Sequence, residues 1–366
     1  MKILFIGDYS NLHATLAKEL RRMGHQADIL SDGCGHMNVH ADFFLKRESG
    51  IKGGFKYLFD LFNILPKLKG YDAVQLINTN FLKLNPQKIK YFYDRLKEQN
   101  GGMFLTLAGD EYFYVKACYD AKIFRFSEFK IGNELTEGAK LQPEHMYGWM
   151  SHKNKILAEY LYEDITGAMS VLPEYDMFSR PLLGDKVKFT NLPVDFSQLP
   201  QAESSGNGKI RILTGMRSGV EHWKGTKILN NLAKEIEKEF PDKVVAEVAQ
   251  DLSLQEFLQR ISVSDIILDQ LYAYSPAMTA LYAMSMGKVA ATGAQPEYYE
   301  YIGNPEARPL FALSPIDSDI KERLIELIYN KDKIKLLGEQ SRELALANND
   351  SKIVAQKFLD HWENLL

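Results

Sequence analysis

Short apolar runs alternate with helix-like stretches along the chain, and this alternation constrains the fold more than any other feature. The first run, KILFIG at residues 2–7, is followed by a stretch with leucines at helical spacing and then by a second run, ADIL. A strand, a helix and a second strand in this order form a βαβ unit with parallel strands. The sequence therefore predicts an α/β protein with doubly wound parallel sheets.

The alternation stops once and then begins again, which indicates two domains. Residues 196–208 are rich in Ser, Gly, Pro and Gln with few apolar side chains, as expected for a linker. We expect a first domain at 1–195, joined by an amphipathic C-terminal helix at about 351–366, and a second domain at 209–350. The chain has 366 residues, of which 45% are hydrophobic, enough for two cores.

Charge and cysteine content exclude several classes of protein. The formal net charge of −4 gives no overall attraction for nucleic acid, so an anionic ligand must be held locally. Cys34 and Cys118 are the only cysteines, and they lack the spacing of a disulfide framework or a zinc site. The first apolar run is shorter than a signal-peptide core and no apolar run of about 18 residues occurs, so we expect a cytoplasmic protein.

One strand of the second domain is followed by two basic residues and a helix, an arrangement suited to phosphate. In ILTGMRSGVEHWKGTKILNNL, residues 212–232, the predicted strand ends at Gly215, and Arg217 and Lys224 precede the helix. Ligands of parallel sheets bind beyond the carboxyl ends of the strands, where helix N-termini supply N–H groups. An Arg and a Lys together suit a diphosphate. As isolated residues, both could equally be solvated surface charges.

A second strand of this domain also leads to a helix N-terminus. The apolar run in SDIILDQLY is followed by Pro276, and a proline in the first helical turn leaves the next N–H groups free for an anion. The apolar side chains of this helix are expected in the core. The candidates for ligand contact are Tyr274, Ser275, Ala277, Met278 and Tyr282.

These stretches, together with FTNLPVD before the linker, resemble the GT-B glycosyltransferases, in particular the retaining family 4 type. The resemblance covers most of the second half of the chain and, more weakly, the first half. It implies two Rossmann-like domains facing a central cleft, with a nucleotide-sugar donor in the second and an acceptor in the first. It also implies that Arg217 and Lys224 hold the donor diphosphate and that no metal ion or other cofactor is needed.

One departure from the family concerns its pair of glutamates, which would fall on Tyr274 and Tyr282. A tyrosine offers one hydroxyl and a ring, so it cannot reproduce the two-oxygen contact of a carboxylate with ribose. Glu297 and Glu300, beyond the next strand, could compensate or could lie on a helix surface.

The first domain is expected to supply the acceptor side of the site. Asp110 follows the predicted strand in LTLAGDEYF, and the resemblance places an active-site residue near it. Asp110 could orient a sugar hydroxyl or stabilise charge on the donor ring, or it could cap the next helix. His13 could contact the acceptor or lie on the surface. Asp317 and Asp319 form an Asp-x-Asp, but the sequence after them favours a helix start, so no metal site is predicted.

Residues 43–70 combine Phe, Leu and Ile with basic side chains. Such a segment could lie on an anionic membrane surface, as would suit a lipid-linked acceptor, or it could pack into the first domain. The former would place the protein at the inner face of the membrane as a peripheral protein. The basic residues are Lys46, Arg47, Lys52, Lys56, Lys67 and Lys69.

The resulting hypothesis is a retaining, metal-independent glycosyltransferase of polysaccharide or glycoconjugate biosynthesis. It would move a sugar from a nucleotide sugar to a saccharide or lipid-linked acceptor, with Asp110, His13, Arg217 and Lys224 as catalytic candidates and Gly215 in the donor site. A sugar-nucleotide 2-epimerase and a non-catalytic sugar-nucleotide-binding protein are the alternatives. A dehydrogenase is disfavoured, because the first βα turn, GDYSNLH, lacks the Gly-x-Gly-x-x-Gly pattern.

Overall fold

A computed structural model describes residues 1–33, 39–203, 208–304, 306 and 308–366. Cys34 and residues 204–207 of the predicted linker lie outside the described residues. The chain divides into two compact units, each built from separate stretches of sequence. Unit 1 consists of Met1–Lys116, Tyr147–Pro193 and Ser351–Leu366, and unit 2 consists of Ala117–Met146 and Val194–Asp350.

The described residues form short strands and longer helices that alternate along most of the chain. The strands are β1 (Lys2–Ile6), β2 (Gln26–Ser31), β3 (Phe43–Phe44), β4 (Ala73–Leu76), β5 (Gly102–Leu107), β6 (Lys130–Ile131), β7 (Glu134–Leu135), β8 (Gly167–Ser170), β9 (Val187–Phe189), β10 (Ile210–Met216), β11 (Val244–Gln250), β12 (Ile266–Leu268), β13 (Val289–Thr292) and β14 (Phe311–Ala312). The helices are α1 (Leu12–Arg22), α2 (Gly50–Ile64), α3 (Pro86–Gln99), α4 (Tyr112–Asp120), α5 (Glu137–Leu141), α6 (Pro143–Trp149), α7 (His152–Asp164), α8 (Pro173–Leu183), α9 (Thr226–Glu239), α10 (Leu254–Ser262), α11 (Met278–Ser285), α12 (Pro296–Tyr301), α13 (Ile320–Ile328), α14 (Lys331–Asn349) and α15 (Ser351–Leu365). Among the helices described, none has the length and apolar character needed to cross a lipid bilayer.

Unit 1 is built on a seven-stranded sheet in the order β3-β2-β1-β4-β5-β8-β9, and each neighbouring pair is parallel. All six residues of β5 are buried. Since successive side chains of a strand point to opposite faces, this pattern means that both faces of the sheet are covered. Continuous apolar runs of this kind are the reason that the sequence predicted buried parallel strands.

Unit 2 is built on a second parallel sheet in the order β11-β10-β12-β13-β14. The prediction of two doubly wound, Rossmann-like parallel-sheet domains is therefore confirmed. β12 is shorter than the apolar run suggested, because the chain leaves the sheet at Asp269. β14 pairs with β13 through two residues and was not predicted.

Residues 117–146, which we call the inserted segment, belong to unit 2, although the predicted first domain included them. The segment contains the antiparallel pair β6–β7, whose strands are two residues each. Its aromatic residues pack on unit 2: the Phe126 ring stacks on Tyr274 and the Phe129 ring contacts Trp223. Partners so distant in sequence leave no periodic signal, so the pattern along the chain could not place this segment.

α15 belongs to unit 1, where it packs on α1. Trp362 of this helix is fully buried, and its ring centroid lies 6.0 Å from that of Phe5 in β1. Its Nε1 donates a hydrogen bond to the side-chain oxygen of Gln75 in β4 at 2.9 Å. The last helix therefore contributes both apolar area and a buried polar contact to the first sheet.

We expect Trp362→Phe to lower the free energy of unfolding by about 1 to 3 kcal/mol, because it leaves the buried Gln75 oxygen without its donor. Urea-induced unfolding measures this loss. Leu366→Ala, at an exposed position in the same unit, serves as the control and is expected to change stability by less than about 0.5 kcal/mol. Equal unfolding midpoints for Trp362→Phe and the unmodified protein would contradict the assigned contact.

Candidate functional site

Three loops of unit 2 lie at the same edge of its sheet, because they follow neighbouring parallel strands. β10 pairs with β12 and β12 pairs with β13, so loops 217–225, 269–277 and 293–295 leave adjacent carboxyl ends. The Leu271 N–H donates to the Lys224 carbonyl at 2.9 Å, which ties the first loop to the second. Ligands of open parallel sheets bind at this kind of edge.

Loop 217–225 carries the two predicted cationic groups. Arg217 and Lys224 are both exposed, one at each end of the loop. The Ser218 N–H donates to Asp251 Oδ1 at 3.0 Å, so the beginning of the loop is fixed to the residue that follows β11. The structure thus places both cations at the strand-end edge of unit 2.

Close contacts explain why glycine occupies two positions next to this loop. Gly215 lies inside β10, which continues to Met216, although the sequence predicted that the strand ends at Gly215. A Cβ atom at Gly215 would lie 3.0 Å from the Phe257 ring, so this glycine makes room for α10. Gly225 has a φ of +68°, and a Cβ atom there would lie 2.8 Å from the Leu271 Cβ. Gly225 therefore permits the close approach of two loops.

The N-terminus of α9 has the features of an anion site. Its N-cap is Gly225, which has no side chain to accept from the first-turn N–H groups, and that turn contains no acidic residue. The helix dipole adds partial positive charge at this end. Lys224 directly precedes the cap. A basic residue and the N–H donors of a helix N-terminus are therefore adjacent along the chain, as in many anion sites.

The second helix N-terminus starts later than the sequence predicted. α11 begins at Met278 with Ala277 as its N-cap, so Pro276 precedes the helix instead of occupying its first turn. The ring of a proline restricts the residue before it to extended backbone, which favours a loop at this point. Ala277 has no side-chain acceptor, so the first N–H groups of α11 depend on other partners.

Asp269, which the sequence analysis did not single out, is one of those partners. Its buried carboxyl group accepts hydrogen bonds from the Ala280 N–H and the Thr279 side chain, and from the Thr292 hydroxyl at 3.1 Å. Burial raises the pKa of Asp269, while the charge of Lys224 and these hydrogen bonds act in the opposite direction. An anion near α11 would therefore compete with a carboxyl group, so α9 offers the better anion site.

Tyr274, a predicted ligand contact, belongs to loop 269–277, and its side chain is buried in unit 2. Only 1% of it is exposed, and its hydroxyl accepts a hydrogen bond from the Arg125 N–H at 2.6 Å. Its ring stacks on Phe126 with centroids 4.8 Å apart. Glu297, considered above as a compensating carboxylate, forms an ion pair with Arg125. The inserted segment therefore engages both Tyr274 and Glu297.

The other predicted contacts on this side are also largely covered. Ser275, Met278 and Tyr282 are buried, whereas Ala277 is partly exposed and Glu300 is exposed on α12. A ligand at this edge would meet the main chain at Ala277 before it met these buried side chains. The loop that the sequence predicted does lie at this edge, but most of its predicted contact side chains are buried.

The inserted segment also supports the loop that carries Lys224. Trp223 Nε1 donates to Gln142 Oε1 at 3.2 Å. The Trp223 ring lies 4.9 Å from the His145 ring and 5.5 Å from the Phe129 ring, between centroids. Because Trp223 is the direct neighbour of Lys224, these contacts restrict the Lys224 backbone. One segment thus braces two of the three loops at the edge.

In unit 1, His13 is fully buried, which differs from both sequence alternatives, an acceptor contact and a surface residue. Its Nδ1 lies 2.7 Å from the Gly7 carbonyl oxygen and its Nε2 lies 3.0 Å from the Thr106 hydroxyl. Burial lowers the pKa of His13 to about 3, although the Gly7 hydrogen bond opposes this. His13 is therefore neutral near pH 7, with both ring nitrogens engaged.

His13 ends a chain of hydrogen bonds through the core of unit 1. Trp362 donates to Gln75, and the Gln75 amide donates to the Thr106 hydroxyl at 2.9 Å. Thr106 can then donate to His13 Nε2, which leaves Nδ1–H to donate to Gly7. With the proton on Nδ1, neutral His13 accepts from the Thr106 hydroxyl and donates to the Gly7 carbonyl, so every group in the chain has a partner. The chain connects α15, β4 and β5 to the turn after β1.

Asp110 lies at the carboxyl end of β5, in a loop that is held by side chains from elsewhere in unit 1. The Asn78 amide donates to the Ala108 and Asp110 carbonyls at 2.7 and 3.1 Å. The Gly109 N–H donates to the Tyr175 hydroxyl at 2.9 Å. Asp110 itself is partly exposed. The sequence missed Asn78 and Tyr175, because a single polar residue near a strand end carries no distinctive pattern.

The N-cap position of α4, considered above for Asp110, is taken by Glu111. Its Oε1 accepts a hydrogen bond from the Tyr114 N–H at 2.6 Å. Glu111 is buried, and burial raises its pKa to about 7, although the N–H groups of Tyr114 and Phe113 favour the charged form. The residue next to Asp110 is thus a carboxyl group that titrates near neutral pH.

The two aspartates of the Asp-x-Asp lie at the start of α13 and pair with one arginine. Asp317 and Asp319 lie 2.9 and 3.1 Å from the Arg323 guanidinium. Asp319 is the N-cap of the helix. Within the described ranges, no group of three or more His, Cys, Asp or Glu side chains could hold a metal ion.

Comparison with known proteins identifies similar folds but no sequence relatives. Neither a family model nor a curated protein matches the sequence. Sucrose-phosphate synthase from Thermosynechococcus elongatus has a TM-score of 0.63 at 11% identity over 100% of this chain and 99% of that one. Anabaena HepE in complex with UDP and glucose gives 0.60 at 13% identity over 100% of both chains. UDP-GlcNAc 2-epimerase from Neisseria meningitidis, bound to UDP-GlcNAc, gives 0.57 at 14% identity over 98% of this chain and 100% of that one. The chain therefore has the GT-B fold.

We expect Glu111→Gln to alter the pH dependence of stability. The folded-state pKa of about 7 lies above the ordinary value of 4.5, so this carboxyl group stabilises the fold at low pH and the contribution is lost as pH rises through 7. Between pH 8 and pH 5, the unmodified protein should gain about 2 kcal/mol relative to Glu111→Gln in urea unfolding.

Comparison of the two proteins at each pH cancels the contribution of His13, which acts in the opposite direction because its pKa is lowered. Glu363→Gln, at an exposed position in unit 1, is the matched control and should follow the unmodified protein. Parallel pH profiles for Glu111→Gln and the unmodified protein would contradict the assigned environment.

Proposed function

We propose that the protein is a glycosyltransferase that moves a sugar from a nucleotide-sugar donor to a saccharide or lipid-linked acceptor. The observation that carries this proposal is loop 217–225 at the strand-end edge of unit 2, which begins with the exposed Arg217 and leads through the exposed Lys224 into the N-terminus of α9. Similarly folded proteins have been solved with UDP and with UDP-glucose, which supports a nucleotide diphosphate as the ligand of this edge.

The chemistry of the transfer explains why cations are needed at this place. The bond between the anomeric carbon and the diphosphate oxygen breaks, and the electron pair stays on that oxygen. The acceptor hydroxyl forms the new bond to the anomeric carbon and gives its proton to an oxygen of the departing diphosphate. Fixed positive groups stabilise the departing diphosphate without reorganisation. Arg217 can bind two oxygens at once, and Lys224 adds charge beside the helix dipole.

Burial separates the donor-site residues into two roles. We assign diphosphate contact to Arg217, to Lys224 and to the first N–H groups of α9, because the carboxyl group of Asp269 already accepts from the first turn of α11, next to Ala277 and Met278. The buried residues hold these groups in place, since their side chains are covered by protein. This supporting set is Tyr274, Ser275 and Tyr282, whereas Gly215 is partly exposed and leaves room for Phe257 of α10.

In unit 1, Asp110 is the proposed contact with the acceptor or with the donor ring, because it is partly exposed at a strand end. His13 is proposed as a positioning residue, since it is buried and fixes the turn after β1 through Gly7. The family resemblance supports a retaining, metal-independent reaction in the cytoplasm, in polysaccharide or glycoconjugate biosynthesis.

A sugar-nucleotide 2-epimerase is the second candidate, because the similar folds include a UDP-GlcNAc 2-epimerase. An epimerase converts a nucleotide sugar without any acceptor, so product analysis in the absence of acceptor distinguishes the two enzymes. A thermal-shift screen with UDP-, GDP- and TDP-sugars identifies the donor, since a ligand of the folded protein raises its Tm. Binding without conversion or transfer of any donor would favour a non-catalytic binding protein.

We expect Arg217→Ala and Lys224→Ala each to lower the rate of donor hydrolysis or transfer by about two to three orders of magnitude. This corresponds to roughly 3 to 4 kcal/mol of transition-state stabilisation for each cation. The rates are measured with the sugar nucleotide that gives the largest thermal shift. Lys234→Ala, exposed further along α9, is the control and should retain near-normal activity. Near-normal turnover of both site variants would remove their assigned roles.

We expect Trp223→Ala to weaken donor binding, because the loop that carries Lys224 loses its contacts with the inserted segment. The KM for the donor should rise by about tenfold, corresponding to about 1.4 kcal/mol, with a smaller change in kcat. Trp223→Phe keeps the ring packing and should recover part of the affinity. An unchanged donor KM in a Trp223→Ala protein that remains folded would contradict this role.

A further inference from the structure

One side of α2 is apolar and open to solvent. Ile51, Phe55, Phe59 and Phe62 have 82%, 70%, 67% and 49% of their surface exposed. Their spacing of four, four and three residues places them on one side of the helix. Surface residues of this size usually occur singly, so a row of four indicates an interaction surface.

The opposite side of α2 packs into unit 1. Gly53, Tyr57 and Leu61 are buried and follow the same helical spacing. The helix therefore has one apolar stripe that packs into unit 1 and a second, largely exposed stripe, in which the Phe62 ring also contacts the Phe92 ring of α3 with centroids 5.1 Å apart. Packing into the first domain is the alternative to membrane contact that the sequence left open. Such packing explains the buried stripe of α2 but not the exposed one.

The charges around the exposed stripe are mostly positive. The segment 43–70 contains six basic and two acidic side chains, whereas the whole chain has a net charge of −4. Lys52 and Lys56 lie on α2 beside the stripe and both are exposed, and Lys56 forms an exposed ion pair with Asp60 at 2.6 Å. Phe44, shortly before the helix, is 60% exposed as well. An exposed aromatic stripe next to basic residues is the pattern of a helix that lies in a membrane interface.

We propose that α2 binds the surface of an anionic lipid bilayer, with its exposed stripe among the acyl chains and its lysines at the headgroups. The positive local charge complements anionic lipid. A symmetric contact between two copies would bring the same basic segments together, which disfavours self-association through this face. The proposal goes beyond the proposed transfer reaction, because lipid binding does not depend on the donor site.

Cosedimentation with vesicles tests the proposal on the full chain. We expect binding to vesicles of phosphatidylcholine with phosphatidylglycerol at low salt, and much weaker binding to phosphatidylcholine alone. Added salt should weaken binding, because the Debye length falls to about 3 Å at 1 M ionic strength. Phe55→Ser/Phe59→Ser should bind the anionic vesicles at least tenfold more weakly. Both positions are exposed, so this variant should fold.

The matched control is Leu336→Ser/Ile353→Ser, which changes two exposed apolar residues elsewhere and should bind like the unmodified protein. Absence of the unmodified protein from the anionic vesicle pellet at low salt would overturn the proposal. Equal vesicle binding by Phe55→Ser/Phe59→Ser would also overturn it. The proposal would also be overturned if the unmodified protein bound no vesicles but formed a concentration-dependent dimer that Phe55→Ser/Phe59→Ser abolishes. Donor binding measured by thermal shift is a separate readout, so failure of this proposal is distinguishable from failure of the proposed reaction.

Discussion

Parallel pairing of β10, β12 and β13 is the constraint from which the candidate site follows. Because the strands run in the same direction and are neighbours, the loops after them must emerge at one edge. The hydrogen bond between Leu271 and Lys224 then joins two of these loops. The loop with Arg217 and Lys224, which leads into α9, therefore lies beside the loop after β12. The pairing of the strands produces this arrangement, and no bound ligand is required for it.

Features that depend on local pattern could be predicted from the sequence. Apolar runs closed by glycine or polar residues predicted most strands of both sheets, although not the two-residue strands β3 and β14, and the loop with Arg217 and Lys224 lies between a strand and a helix as expected. An acidic residue directly after the apolar strand of β12 was a readable signal for Asp269. A single acidic residue after a strand does not by itself distinguish a helix-capping role from a surface position.

Features that depend on tertiary packing could not be predicted in this way. Tyr274 is covered by Phe126, and Trp223 is held by Gln142, so each pairing joins residues far apart in the chain. His13 reads as a polar residue near a strand end, yet its burial depends on partners from β5 and the turn after β1. The composition of residues 43–70 left open whether the segment packs into the first domain or lies on a membrane, and it did not show that α2 has a buried and an exposed apolar stripe.

The return of α15 to unit 1 has a consequence for the order in which the protein matures during synthesis. Val194–Asp350, which forms most of unit 2, is translated before Trp362 is available to Gln75. Until the last helix leaves the ribosome, the first sheet lacks a buried aromatic partner and its Gln75 oxygen lacks a donor. The sheet of unit 1, whose first strands are translated early, is thus completed only after the Val194–Asp350 part of unit 2 has been translated.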